Sequence, residues 1–184
     1  MANIDNTLGF MPVTSPNGTV EARLYYADAD GSTALYIGDP VVQEADGGVV
    51  IATAGAGHYI SGIVIGTYDT TLAPTQYRPA STAGYILVAD NPRQLFVAQE
   101  DGVGSDLALT SRGSGVDFVA GTGSTINGRS DAQLDSSSLT TATNAQFRIV
   151  DIHDIQGNTV GDYCKWIVRI NYHLANAGAI GTAV

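Results

Sequence analysis

Apolar and polar positions alternate most cleanly near the C-terminus. Trp166, Val168, Ile170 and Tyr172 share one face there, Lys165, Arg169, Asn171 and His173 share the other, and Ile167 is the exception. A period of two over this length predicts a half-buried strand. Residues 147–152 predict a second strand, joined to the first through the turn-like Gln156-Gly157-Asn158. Elsewhere the apolar residues run together. Residues 60–65, 85–88 and 95–98 read as strands buried on both faces, with Gly62 allowing close approach.

Turn signals punctuate these runs at Asn17-Gly18, Asp30-Gly31, Asp46-Gly47, Asp101-Gly102 and Asn127-Gly128. Such pairs tolerate positive φ and close hairpins whose twist matches the flanking strands. The clearest predicted hairpin joins residues 40–43 to 49–51 across Asp46-Gly47. A second is expected to link residues 22–26 to 34–37.

Three stretches depart from this pattern. Residues 1–19 carry Gly9, Pro12, Pro16 and Gly18 among isolated apolar residues, which predicts an extended N-terminal arm ordered only against a partner. Residues 20–174 form a single β-rich domain, within which residues 102–146 are rich in Gly, Ser, Thr and Asp around a short apolar island at 116–119. That segment is expected as long loops and weak strands, either projecting or packed into a sheet. Residues 175–184 make a small, uncharged tail, frayed or docked on a neighbour.

Composition sharpens the picture. Three glutamates and one lysine, Lys165, leave little material for surface helices, whereas 22 glycines and abundant Val, Thr, Ser and Tyr suit strands and tight turns. The expected fold is all-β, a compact β-barrel or β-sandwich core with an extended N-terminal arm and long loops. With 8 Lys+Arg against 18 Asp+Glu the formal net charge is -10, which argues against nucleic acid as a partner. No apolar run approaches a membrane span, and the first residues do not read as a signal peptide, so no membrane partner is expected. The single cysteine, Cys164, excludes an intrachain disulfide and a Cys-rich metal centre, and beside Trp166 it reads as a small buried apolar residue.

Candidate chemistry is sparse. Asp28-Ala29-Asp30-Gly31-Ser32 resembles the start of a calcium loop, and the twelfth position from Asp28 is Asp39. A shortened carboxylate there, in place of a bidentate Glu, and the lack of flanking helices favour an ordinary turn. Asp28, Asp30 and Asp39 are therefore weak metal candidates, and no metal or other cofactor is expected. Gly55-Ala56-Gly57 and Gly121-Thr122-Gly123 do not extend to a phosphate-binding loop. His58, His153 and His173 lack ligand spacing, no nucleophile elbow is present, and no catalytic residue is assigned. Asn17-Gly18-Thr19 fits a glycosylation sequon but reads as a turn in a chain made in the cytosol.

Several segments taken in order resemble the decoration, or cement, proteins of tailed-bacteriophage capsids. They are Gly9-Phe10 with Pro12-Val13; Arg23 with Tyr25-Tyr26; residues 37–41; residues 80–82; Tyr85 with residues 87–90 and Pro92; and residues 99–102. Gly121 with Gly123-Ser124, residues 134–137, Lys165-Trp166, residues 168–171 and His173 complete the pattern. The resemblance implies a structural protein of the virion's outer capsid surface, made in the host bacterial cytoplasm. Its partners would be the phage major capsid protein and further copies of itself, as a homotrimer or a dimer. It would not be an enzyme.

The expected mechanism is bridging, in which several modest interfaces act together. The arm would add a strand to a partner edge, with Asn3, Ile4, Leu8, Phe10, Pro12 and Val13 as contacts. The alternative is a calcium- or carbohydrate-binding surface module or head fibre of a virion.

Overall fold

The computed structural model describes residues 3–14, 18–104 and 107–175. The tail residues 176–184 and Asn17 of the predicted Asn17-Gly18 turn and sequon lie outside them. The strands are β1 (Met11–Thr14), β2 (Arg23–Ala27), β3 (Pro40–Gln43), β4 (Val49–Ile51), β5 (Gly62–Tyr68), β6 (Pro74–Thr75) and β7 (Gly84–Ala89). They continue with β8 (Leu95–Gln99), β9 (Gly115–Val116), β10 (Phe118–Val119), β11 (Gln133–Leu134), β12 (Phe147–Ile152) and β13 (Lys165–Ile170). Among the described residues the only helical elements are two 3-10 turns, Leu109–Ser111 and Ser136–Ser138. The chain is all-β, as its composition requires.

One antiparallel sheet runs β1-β8-β13-β12-β9; the other runs β2-β7-β5-β3-β4, with β6 on the end of β5. β10 and β11 form a short ribbon beside them. The alternation read at the C-terminus places Trp166, Val168 and Ile170 inward, where they meet Phe96, Phe147 and Ile149 from the first sheet and Ile63 and Ala89 from the second. Of the two expected architectures, the sandwich is the one adopted. A second apolar cluster, including Leu35, Val41, Val64, Ile86 and Val88, lies on the other side of the second sheet. That sheet is therefore buried on both faces over part of its area, as continuous apolar strands need.

The hairpin across Asp46-Gly47 forms with Val42 opposite Val50, and Gly47 takes the positive φ the turn demands. The other predicted hairpin does not form. β2 pairs with β7, Leu24 opposite Leu87, while residues 35 and 37 make isolated bridges to Arg78 and Arg129. The described residues of the 102–146 segment pack into the body: Leu107, Val116, Phe118, Ala132, Leu134 and Ala145 are all buried.

Candidate functional site

The arm is the first candidate, and its own sequence folds it back. Asn3 donates through Nδ2 to the carbonyls of Thr159 (2.7 Å) and Asp162 (2.9 Å). Gln99 clasps the next turn, donating to the Ile4 carbonyl at 2.9 Å and accepting from the Asn6 N–H at 3.1 Å. At Gly9, with φ +65°, a side-chain carbon would sit 2.7 Å from the Gly38 carbonyl oxygen, so only glycine lets the two backbones meet there. Phe10 follows into the core, and β1 then pairs with β8, Met11 opposite Val97. The expectation of an arm ordered only by a partner is thus corrected for residues 3–14. Phe10 is a core residue rather than a contact, because burying its ring in the same chain removes it from any partner. Asn3, Leu8 and Pro12 are half-buried, and Ile4 and Val13 stay exposed.

The three metal candidates do not come together. Asp28 lies instead beside Glu44 and Asp46, with one carboxylate oxygen from each within 4.8 Å of the others. Asp30 is not one of the three, and Asp39 is buried elsewhere. The grouping follows from turn chemistry. Asp28 Oδ1 accepts from the N–H groups of Asp30 (2.9 Å) and Gly31 (3.3 Å), and Asp46 Oδ1 accepts from Gly48 N–H (2.9 Å). Behind the loop, buried Arg78 donates to the carbonyls of Asp28 (2.7 Å), Thr33 (3.0 Å) and Thr82 (2.8 Å). Partial burial and the nearby Asp46, Asp28 and Asp30 carboxylates push the Glu44 carboxyl above its ordinary value.

Asp39 closes a tight turn, accepting from the Tyr36 N–H at 2.7 Å and from the Ser130 hydroxyl. Burial outweighs these bonds and pushes its carboxyl up to about 6.

The surface that sequence reasoning missed lies on the second sheet. Cross-strand partners point to the same side, so Leu24 with Leu87, and Tyr26 with Tyr85 and Tyr68, share one face. Two positions further along β7, on that same face, Ala89 enters the core between the sheets opposite Ile63. The second sheet therefore extends past the first and leaves an uncharged strip of three tyrosines and two leucines. Leu24 and Tyr26 are nearly half exposed, and Tyr26 meets Tyr85 edge-on at 5.5 Å. Just past Tyr68, Asp69 accepts from Thr71 N–H (2.7 Å), Thr71 hydroxyl (2.6 Å) and Ala73 N–H (3.0 Å), which holds its carboxyl below the usual range. That clamp keeps exposed Leu72 at φ +64°, a conformation bulky residues rarely adopt. The signal was available in Arg23-Leu24-Tyr25-Tyr26-Ala27, where both faces of one strand are apolar.

On the opposite side of β2, Tyr25 donates to Asp90 at 2.7 Å and Arg23 reaches the same carboxylate at 3.4 Å. Burial and the accepting Asp90 carboxylate push the Tyr25 hydroxyl up to about 12, so it remains a donor at any physiological pH. His173 completes this corner. Its Nε2 lies 3.1 Å from the Asp90 carbonyl, and Nδ1 accepts from Ala175 N–H at 3.0 Å. Burial lowers the imidazole's affinity for a proton. Cys164 is buried as expected, and its thiol is pushed up to about 12.

Comparison with family models, with curated proteins and with solved structures gives no match for this chain. Among the described residues no helix is long and apolar enough to cross a membrane.

Proposed function

We propose that this chain is a structural virion protein that binds the outer surface of a tailed-phage capsid and stabilises it by bridging neighbouring major capsid subunits. One observation carries the reading furthest. Two of the family-like segments, Arg23 with Tyr25-Tyr26 and Tyr85 with residues 87–90 and Pro92, stand far apart in sequence yet fold into one corner. Arg23 pairs opposite Val88, and Tyr25 and Arg23 converge on Asp90. Beside that corner lies the uncharged strip of Leu24, Tyr26, Tyr68, Tyr85 and Leu87. Exposed apolar and aromatic patches on otherwise charged surfaces mark interaction sites. A net charge of -10 keeps free copies apart in solution, while this strip offers a place where contact costs no buried charge.

Attachment through the sheet face replaces attachment through a free arm. Several copies, associated as a homotrimer, would each seat a strip on the shell, so release requires several contacts to break together. The chain would be made in the host bacterial cytoplasm and reside on the capsid exterior.

The test adds the purified protein to heads of the encoding phage stripped of it. Saturable binding at a fixed copy number per head, imaged on the outside, supports the reading. Absence of binding, or density confined to the tail or interior, overturns it. Solution mass then decides between trimer and dimer.

A further inference from the structure

A pocket of about 390 Å³ opens beside the Asp39 turn, within the range that takes a small ligand. Tyr36, Ala52, Phe118 and Ala132 form buried, mostly apolar walls, and Ala54 and Ala120 lie exposed at its rim. Asp39 also lines it, with only 4% of its surface exposed. Among the described residues this carboxylate has no ion pair, and the charge acting on it is that of Asp131, of the same sign. Its donors are two neutral groups, the Tyr36 N–H and the Ser130 hydroxyl, whereas an ionised carboxylate offers about four acceptor sites. A buried acid without a counter-charge, at the wall of an apolar pocket, is a costly arrangement that a cationic ligand would relieve.

The chemistry narrows the cation. A hard metal ion needs six or more oxygens, and the lining offers one carboxylate, Asp39, with Thr33, Thr53 and Thr122 among walls that are mostly alanine and aromatic carbon. A guanidinium pairs best with both oxygens of a carboxylate, but Asp39 Oδ2 is already engaged by the Tyr36 N–H. A primary ammonium is compact and needs only one free edge.

We propose that this pocket binds an alkylammonium group, its aliphatic stem against Ala52, Ala132 and Phe118 and its ammonium on the Asp39 carboxylate. Two sources share that chemistry, a lysine side chain of a partner protein and a free small amine. The inference does not rest on the capsid reading.

The test titrates the intact protein at pH 7.5 with n-butylammonium, with n-butanol as the neutral counterpart, and with the capped tripeptide acetyl-Gly-Lys-Gly-amide. Binding is followed by the methyl NMR shifts of Ala52 and Ala132. Butylammonium should saturate these shifts at least about tenfold more tightly than butanol. Asp39→Asn, which keeps the size and an acceptor for the Tyr36 N–H, should abolish the preference. Binding of the tripeptide as well supports the proposal and marks a lysine side chain as the source; binding of butylammonium alone supports it and marks a free amine. Equal binding of amine and alcohol, no shift with either, or a preference that survives Asp39→Asn overturns it. The comparison of amine with alcohol uses the unaltered protein and so does not depend on the variant folding.

Discussion

The ring of Phe10 stacks on the ring of Phe147 with centroids 4.3 Å apart and planes 11° from parallel, and both meet Phe118 edge-on. An N-terminal residue thereby sits among strands from the chain's far end. Phe10→Ala is expected to cost about 3–5 kcal/mol, the usual range for emptying a packed aromatic site. Urea unfolding measures it. Deleting residues 2–13 should cost more, because it also bares the β8 edge. The deletion product is expected to aggregate rather than remain a folded protein that merely fails to bind.

Asp39 makes stability depend on pH in a definite direction. Its carboxyl titrates at about 6 in the fold against an ordinary 3.8, so the folded state holds the proton more tightly. Stability from this group is greatest below about pH 4 and is lost as pH rises through about 6, by up to about 3 kcal/mol. Tyr36 and Asp131 face the same group, and neither supplies a compensating positive charge. Asp39→Asn should therefore be more stabilising at pH 7.5 than at pH 4. Denaturation of both proteins at the two pH values isolates the effect from other carboxylates; a difference independent of pH would contradict it.

Gly123 is pressed against Tyr36, whose other ring face stacks on Tyr77 at 5.1 Å. An added methyl would fall within the ring's own space, and the ring cannot retreat. Gly123→Ala is expected to cost about 1–3 kcal/mol through overpacking. Thermal unfolding reads the loss, and altered fluorescence of the tyrosine pair would accompany it.

The uncharged strip separates binding from folding. Leu24 and Tyr26 are nearly half exposed, so replacing both with Ser should change stability by no more than about 1 kcal/mol. Head attachment should fall at least about tenfold in a pelleting assay. Full attachment by the double variant would remove this face from the proposed mechanism.

For the Asp28–Glu44–Asp46 group, Asp46→Asn keeps the bond to the Gly48 N–H and removes one of three like charges. It should be neutral or stabilising by about 0.5 kcal/mol at low salt, with the gain fading in about 0.5 M salt. Millimolar calcium should leave the melting temperature of the unaltered protein nearly unchanged. A rise of several degrees, reversed by chelator, would instead favour the calcium-dependent module.

Local signals were the legible ones. Alternation from Trp166 to Ile170 and the Asp-Gly turn between β3 and β4 are each written within a dozen residues, and both appear in the fold. The pairing of β2 with β7 is not. Nothing near Tyr26 says that Tyr85 lies opposite, because partner choice across a long connection is made by the assembled core. The same holds for Phe10. An isolated aromatic among Gly and Pro reads as an anchor for something else until residues 118 and 147 are placed around it. Asp39 stands twelfth from Asp28 along the chain, yet the residues it touches are Tyr36 in its own turn and Ser130 in a distant loop.

The pairing of β1 with β8, and the bridge from Ile60 to His173, fix an order of events during synthesis. Residues 11–14 leave the ribosome long before residues 95–97 exist to receive them, and the first sheet still lacks its middle until β12 and β13 emerge. Residues 11–14 must therefore wait unpaired until β8 has emerged, and the first sheet can close only once β13 has followed.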